Sequence, residues 1–208
     1  MKSHPESAEV LSDLGEKVTE AFARAVSRAR LDLANYREND PGWVAQSSER
    51  GLANWIHDRL WHHLISLVDG LPDIQIVDTE PMREVFAGVR YRLRAKRHAD
   101  DGSISTYATA GAMDFLVQPP TQETLAGLEE IRLIVGYIWD KESREIGPSV
   151  LSLRDGKDAI VWVEELPDPG TGYGGGTVTP IPTAPEPTAP VIDVGDEAAQ
   201  DSEESAES

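Results

Sequence analysis

The hydrophobic pattern of this chain changes period near residue 73, and that change limits the fold more than any other feature. Before it, Leu11, Leu14, Val18, Phe22, Ala25, Ala29 and Leu33 recur at steps of three and four. That spacing places them on one stripe of a helix. It predicts a helix over residues 6–36, with Ser3 or Ser7 able to cap its start and Asn39-Asp40-Pro41-Gly42 to break it. Ser47 and Ser48 then announce a second helix over about 49–69, closed by Gly70. Leu52, Ile56, Leu60, Leu64 and Leu67 form one of its stripes, and Trp61, Ile65 and Val68 another. A helix apolar around most of its circumference belongs at the centre of a fold.

After residue 73 the period is two. Strands are predicted near 74–78, 86–97, 104–109, 112–117, 131–139, 149–153 and 159–164. His98-Ala99-Asp100-Asp101-Gly102 separates two alternating runs with an Asp-Gly turn, a hairpin signal, and Arg154-Asp155-Gly156-Lys157 is a second one. Pro119-Pro120 and the residues from Thr121 to Leu128 read as a loop or short helix. Two helices followed by hairpin-linked strands predict an α+β fold: two N-terminal helices packed on one face of a mostly antiparallel sheet.

The five tryptophans, Trp43, Trp55, Trp61, Trp139 and Trp162, all precede residue 166, so the core is expected in residues 1–166. Beyond it, 167–208 is rich in Gly, Pro, Thr and Ala and then in acids. Such a composition cannot bury enough apolar surface to offset chain entropy, and a disordered linker and acidic tail is expected there. Gly170-Thr171-Gly172-Tyr173-Gly174-Gly175 matches the dinucleotide fingerprint G-x-G-x-x-G letter for letter. The chemistry needs a helix to start at once and hold the pyrophosphate, and Thr177-Val178-Thr179-Pro180 cannot start one. A flexible linker is the reading.

Charge narrows the function. The formal net charge is −18, and the nine acidic side chains after residue 166 meet no Lys or Arg there, leaving −9 for residues 1–166. An acidic domain is a poor general binder of nucleic acid, where affinity comes from cations on phosphates. There is no cysteine, which excludes disulfides and thiolate chemistry. No apolar run reaches the roughly 18 residues of a membrane span, and the first residues hold no signal-like apolar stretch. A cytoplasmic protein without membrane contact is expected. Basic residues are 14 Arg to 5 Lys, a bias that points to a bacterial, GC-rich source.

Two clusters could carry function. Arg90, Arg92, Arg94 and Lys96 alternate with Tyr91, Leu93 and Ala95, so strand periodicity gathers four cations on one face. A hairpin at Asp100-Asp101 would set Ser105, Tyr107 and Thr109 opposite them, making a surface for phosphate or carboxylate groups. On the second helix, His57, Asp58, His62 and His63 crowd together, and Asp58 and His62 share a face. A metal would need a further ligand from elsewhere, and no metallopeptidase signature, nucleophile elbow or phosphate loop occurs. A nuclease would want a carboxylate two residues before Lys96, where Arg94 stands. The sequence therefore favours a non-enzymatic binding or regulatory protein without a cofactor. It would engage an anionic protein or nucleic acid through Arg90, Arg92, Arg94, Lys96 and Tyr107, with the acidic tail gating access. The alternatives are a metal-dependent hydrolase or nuclease built on Asp58 and His62 with His57 and His63, and a partner subunit that docks through apolar helix surface.

Overall fold

A computed structural model of the chain describes residues 4–79, 82–119 and 129–167, and all that follows concerns these. The expected first helix is two. Helix α1, Ser7–Leu14, stops at Gly15, whose φ of 77° an L side chain adopts only under strain. Helix α2, Glu16–Asn39, then runs three residues past its predicted end. The expected breaker at 39–42 turns the chain only at Asp40, because Pro41 opens a short helix α3, Pro41–Gln46, the position where a missing N–H does no harm. Helix α4, Glu49–Val68, begins as expected: Ser48 Oγ accepts the Gly51 N–H at 3.0 Å. Its buried residues, Leu52, Ile56, Leu60, Trp61, Leu64 and Val68, lie on both predicted stripes.

Six strands form one sheet in chain order: β1 Ile74–Thr79, β2 Met82–Ala87, β3 Tyr91–His98, β4 Ile131–Asp140, β5 Glu145–Arg154 and β6 Ile160–Glu165. The predicted strand over 86–97 is cut by a turn at 88–90, where Gly88 has φ 59°, so β2 and β3 form a hairpin. All neighbours are antiparallel except β3 and β4, which are parallel.

That parallel pair explains the main departure from expectation. The turn after His98 forms, with the Gly102 N–H on the Ala99 carbonyl at 2.8 Å, but its ladder ends after one bridge, His98 to Ile104. The predicted strands 104–109 and 112–117 are instead an irregular stretch and a helix α5, Ala110–Leu116. Thr109 Oγ1 caps that helix by accepting the Ala112 N–H at 3.2 Å, and Ala110-Gly111-Ala112-Met113 carries no β-branched residue to hold a strand. Parallel neighbours need a long crossover, and residues 99–130 supply it.

Helices α1, α2 and α4 cover one sheet face. Their core partners are Val85, Leu93, Ala95, Leu133, Val135, Tyr137, Leu151 and Leu153. The described first part of the crossover, residues 99–119, has its apolar side chains on the other face, where Ile104, Phe115 and Leu116 close over Ile134. β3 and β4 meet tightly at Gly136, where any Cβ would overlap the Lys96 carbonyl. Among the described residues no helix is long and apolar enough to cross a membrane. The anticipated linker and acidic tail fall outside the described residues from 168 onward, as do Pro120 and the residues from Thr121 to Leu128.

Candidate functional site

The structure divides the four cations of the 90–96 run. Arg90 belongs to the turn, not to β3, and reaches α1, with Nη1 on Asp13 Oδ2 at 2.7 Å and Nη2 on Glu9 Oε1 at 3.1 Å. Asp13 also accepts the Tyr91 hydroxyl at 2.7 Å. Arg92 and Arg94 do share the sheet face turned from α4, but an acid lies between them. Glu84, opposite Arg94 by the β2–β3 register, is 1% exposed. Its carboxylate accepts Arg92 Nε at 2.8 Å, Arg92 Nη2 at 2.9 Å and Arg94 Nε at 2.7 Å. Burial pushes the Glu84 carboxyl up; hydrogen bonds and charge from both arginines outweigh it and hold the pKa below its ordinary value. The Arg94 guanidinium is 4.1 Å from the Phe115 ring centroid, so α5 roofs the pair. Lys96 has no acidic partner among the described residues, and burial followed by the nearby Arg94 charge lowers its pKa. Tyr107 is not opposite these residues. It sits past the single bridge, exposed, with the Arg50 guanidinium 5.6 Å from its ring.

The α4 histidines are also dispersed. Asp58 Oδ1 accepts Arg83 Nη1 at 2.6 Å. His62 is exposed and touches His63 edge-on at 5.4 Å. His63 Nε2 is 2.7 Å from Asp32 Oδ2 on α2, an oxygen that also accepts Arg59 Nε at 2.6 Å. His57 is pushed down by burial and then by the charges of Lys96 and Arg83. Among the described residues no three His, Asp or Glu side chains are grouped as metal ligands.

Sequence periodicity missed a groove of about 620 Å³ at the carboxyl ends of the parallel strands β3 and β4. Arg97, Lys141 and Lys157 line it, with Ser103, Ser105 and Thr106. Arg97 spans Glu49 at 3.6 Å and the Trp139 ring at 5.6 Å. Lys141 and Lys157 are exposed and have no ion pair among the described residues. Asp100 and Asp101 also border the groove. Asp101 Oδ1 is engaged by the Ser103 N–H at 2.8 Å, and hydrogen bonding to Ser103 holds its pKa down.

Beneath the crossover loop is a buried polar set. His98, fully buried, has Nε2 2.9 Å from Ser152 Oγ, and burial followed by the Arg154 charge pushes its pKa down to about 4. Arg154 is 1% exposed and donates to the carbonyls of Gly102 and Lys157, tying the loop after β3 to the turn after β5. His98 and Ser152 are 54 residues apart, so local sequence carries no signal for the pair. Glu84 was missed because the predicted strand began at residue 86; in β2, which begins at Met82, Glu84 and Phe86 alternate with Val85 and fall on one face. Comparison of the chain with protein-family models, curated proteins and solved structures finds no match.

Proposed function

We propose that this chain is a non-enzymatic binding protein that takes a compact anionic group of a partner, a phosphate or carboxylate, into the groove at the ends of β3 and β4. One observation carries the reading. Lys141 and Lys157, from two separate turns, meet on one groove with Arg97, and neither lysine has an acidic partner among the described residues. Hydroxyls at Ser103, Ser105 and Thr106 supply directional donors beside the charges. Arg92 and Arg94, by contrast, already share the buried Glu84 carboxylate. A net charge of −18 repels a long polyanion while leaving a local site for a small anion.

The test is a titration of the full chain with inorganic phosphate and, separately, heparin, followed by amide shifts. Saturable shifts at Ser103 and Thr106 with phosphate, lost in Lys141→Glu with Lys157→Glu, support the reading. Equal response of parent and variant, or no shift, sinks it. A second reading, docking through apolar helix surface, is favoured by Trp43 on α3, which is 66% exposed. It requires Trp43→Ser to dissociate a complex seen by light scattering.

A further inference from the structure

The edge of the sheet at β6 carries an inference independent of the groove. In the ladder with β5, the Leu166 N–H donates to the Ser149 carbonyl at 2.9 Å, which makes Ser149 and Leu166 a hydrogen-bonded pair. Antiparallel pairs alternate, so Leu151–Glu164 and Leu153–Trp162 are the next such pairs. Val163 and Glu165 therefore turn their N–H and C=O away from β5, along the open side of the sheet. Among the described residues no backbone hydrogen bond meets that side.

Natural sheets blunt such an edge with lysine, proline or a bulge on the outer strand. Residues 160–165, Ile-Val-Trp-Val-Glu-Glu, hold neither Lys nor Pro. The ladder with β5 is irregular at Val161 and regular from Trp162 to Glu165, so the bulge leaves Val163 and Glu165 unblunted, and Ile160 and Val161 are 39% and 38% exposed. The other edge strand, β1, exposes mainly polar residues: Gln75, Asp78 and Thr79. The amino-terminal segment buttresses β6 without pairing to it: Trp162 Nε1 donates to the Pro5 carbonyl at 2.9 Å, and Ser7 Oγ to Glu164 at 3.0 Å.

We infer that β6 is a strand-addition site for an extended segment of a partner protein, with apolar residues at one end and basic residues at the other. Main-chain bonds at Val163 and Glu165 would provide the attachment. The charge pattern selects the occupant. β6 is apolar from Ile160 to Val163 and acidic at Glu164 and Glu165, so the complementary strand sets apolar side chains against the first part and cations against the second. A second copy of β6, added antiparallel, would instead set Glu165 near Ile160. The net charge of −18 adds repulsion between copies.

The experiment titrates the isotope-labelled full chain with acetyl-Lys-Arg-Val-Thr-Val-Thr-amide and with its counterpart bearing Glu-Asp for Lys-Arg. The basic peptide should bind and slow exchange of the Val163 and Glu165 amides, and the acidic one should not. Val163→Pro removes an outward N–H and leaves the β5 ladder whole. It should melt as the parent does and bind about fivefold to tenfold more weakly, the worth of one exposed backbone hydrogen bond. Unchanged affinity in folded Val163→Pro would mean attraction to the acidic carboxyl-terminal stretch and overturns the proposal. So would an absence of slowed amides, or a dimer by light scattering that Val163→Pro dissociates. Should Val163→Pro fail to fold, Glu165→Lys decides: with Glu164 it leaves no local net charge and must abolish the preference for the basic peptide, and an unchanged preference overturns the site.

Discussion

Acidification should weaken this fold through His98, beginning near pH 6.5. The ring is fully buried beneath the crossover loop, beside Ser152 and the Arg154 charge, and titrates at about 4 rather than 6.5. The unfolded chain therefore binds the proton first. Well above pH 6.5 both states are neutral at this site and nothing is lost. As pH falls from 6.5 towards 4, only the unfolded state gains the proton, and stability drops throughout that window. Below about 4 both states are protonated and the loss is complete. The shift is about 2.5 pH units, worth roughly 3 kcal/mol at the end of the window. By pH 5.5 the loss is already about 1.4 kcal/mol.

Urea unfolding of parent and His98→Gln at pH 7, 5.5 and 4.5 measures it. The glutamine keeps a hydrogen-bonding group near Ser152 and cannot titrate. Its stability should therefore be about 1.2 kcal/mol less sensitive to the step from pH 7 to 5.5 than the parent's. His57 is also pushed down and loses stability in the same direction, so His57→Gln is the needed companion. Glu84 and Asp32, held below their ordinary values, contribute stability that fades only as pH falls below the usual carboxylate range. An identical pH response in parent and His98→Gln, or a nuclear-magnetic-resonance titration of His98 centred above 6, would refute the reasoning.

Glu84→Gln should destabilise by about 3–5 kcal/mol in urea unfolding, since two part-buried arginines lose their common anion. Gly136→Ala should lower stability by about 1–3 kcal/mol or more by the same measure, because the Cβ meets the backbone of Lys96 and not a yielding side chain. Leu60→Ala and Trp61→Ala should each cost roughly 2–5 kcal/mol by calorimetry, both side chains being 3% exposed on α4. Losses under about 0.5 kcal/mol for both would place α4 at the periphery.

Legibility in the sequence followed the range of the interactions. The α4 boundaries were readable because Ser48, Gly70 and the apolar stripes act within a turn or two of the chain. The break at Gly15 was not, because the stripe Leu11, Leu14, Val18 crosses it intact and only the backbone registers the change. The residues from Ile104 to Val117 misled for another reason. Their alternation is weak, and what decides their state is that β3 and β4 are parallel, which no local pattern announces. Periodicity put Arg92 and Arg94 on one face correctly; it could not register that β2 delivers Glu84 between them.

The same distinction governs where a partner's charge can be met. Arg37, Arg59, Arg83, Arg90, Arg92, Arg94 and Arg132 all reach carboxylates in the described residues. Arg30 and Arg154 donate to main-chain carbonyls of segments far away in sequence. An arginine fork saturated by a carboxylate has little left for a ligand, since an incoming anion must first displace an anion already desolvated. In a chain with 14 Arg and 5 Lys, counting cations along a strand therefore measures internal cross-linking more than surface potential. The lysines, each a single mobile charge on a long stem, escape this use: Lys141 and Lys157 stand in turns with no partner in the described fold. That is why we propose the groove they line, and not the arginine row of β3, as the anion site among the described residues.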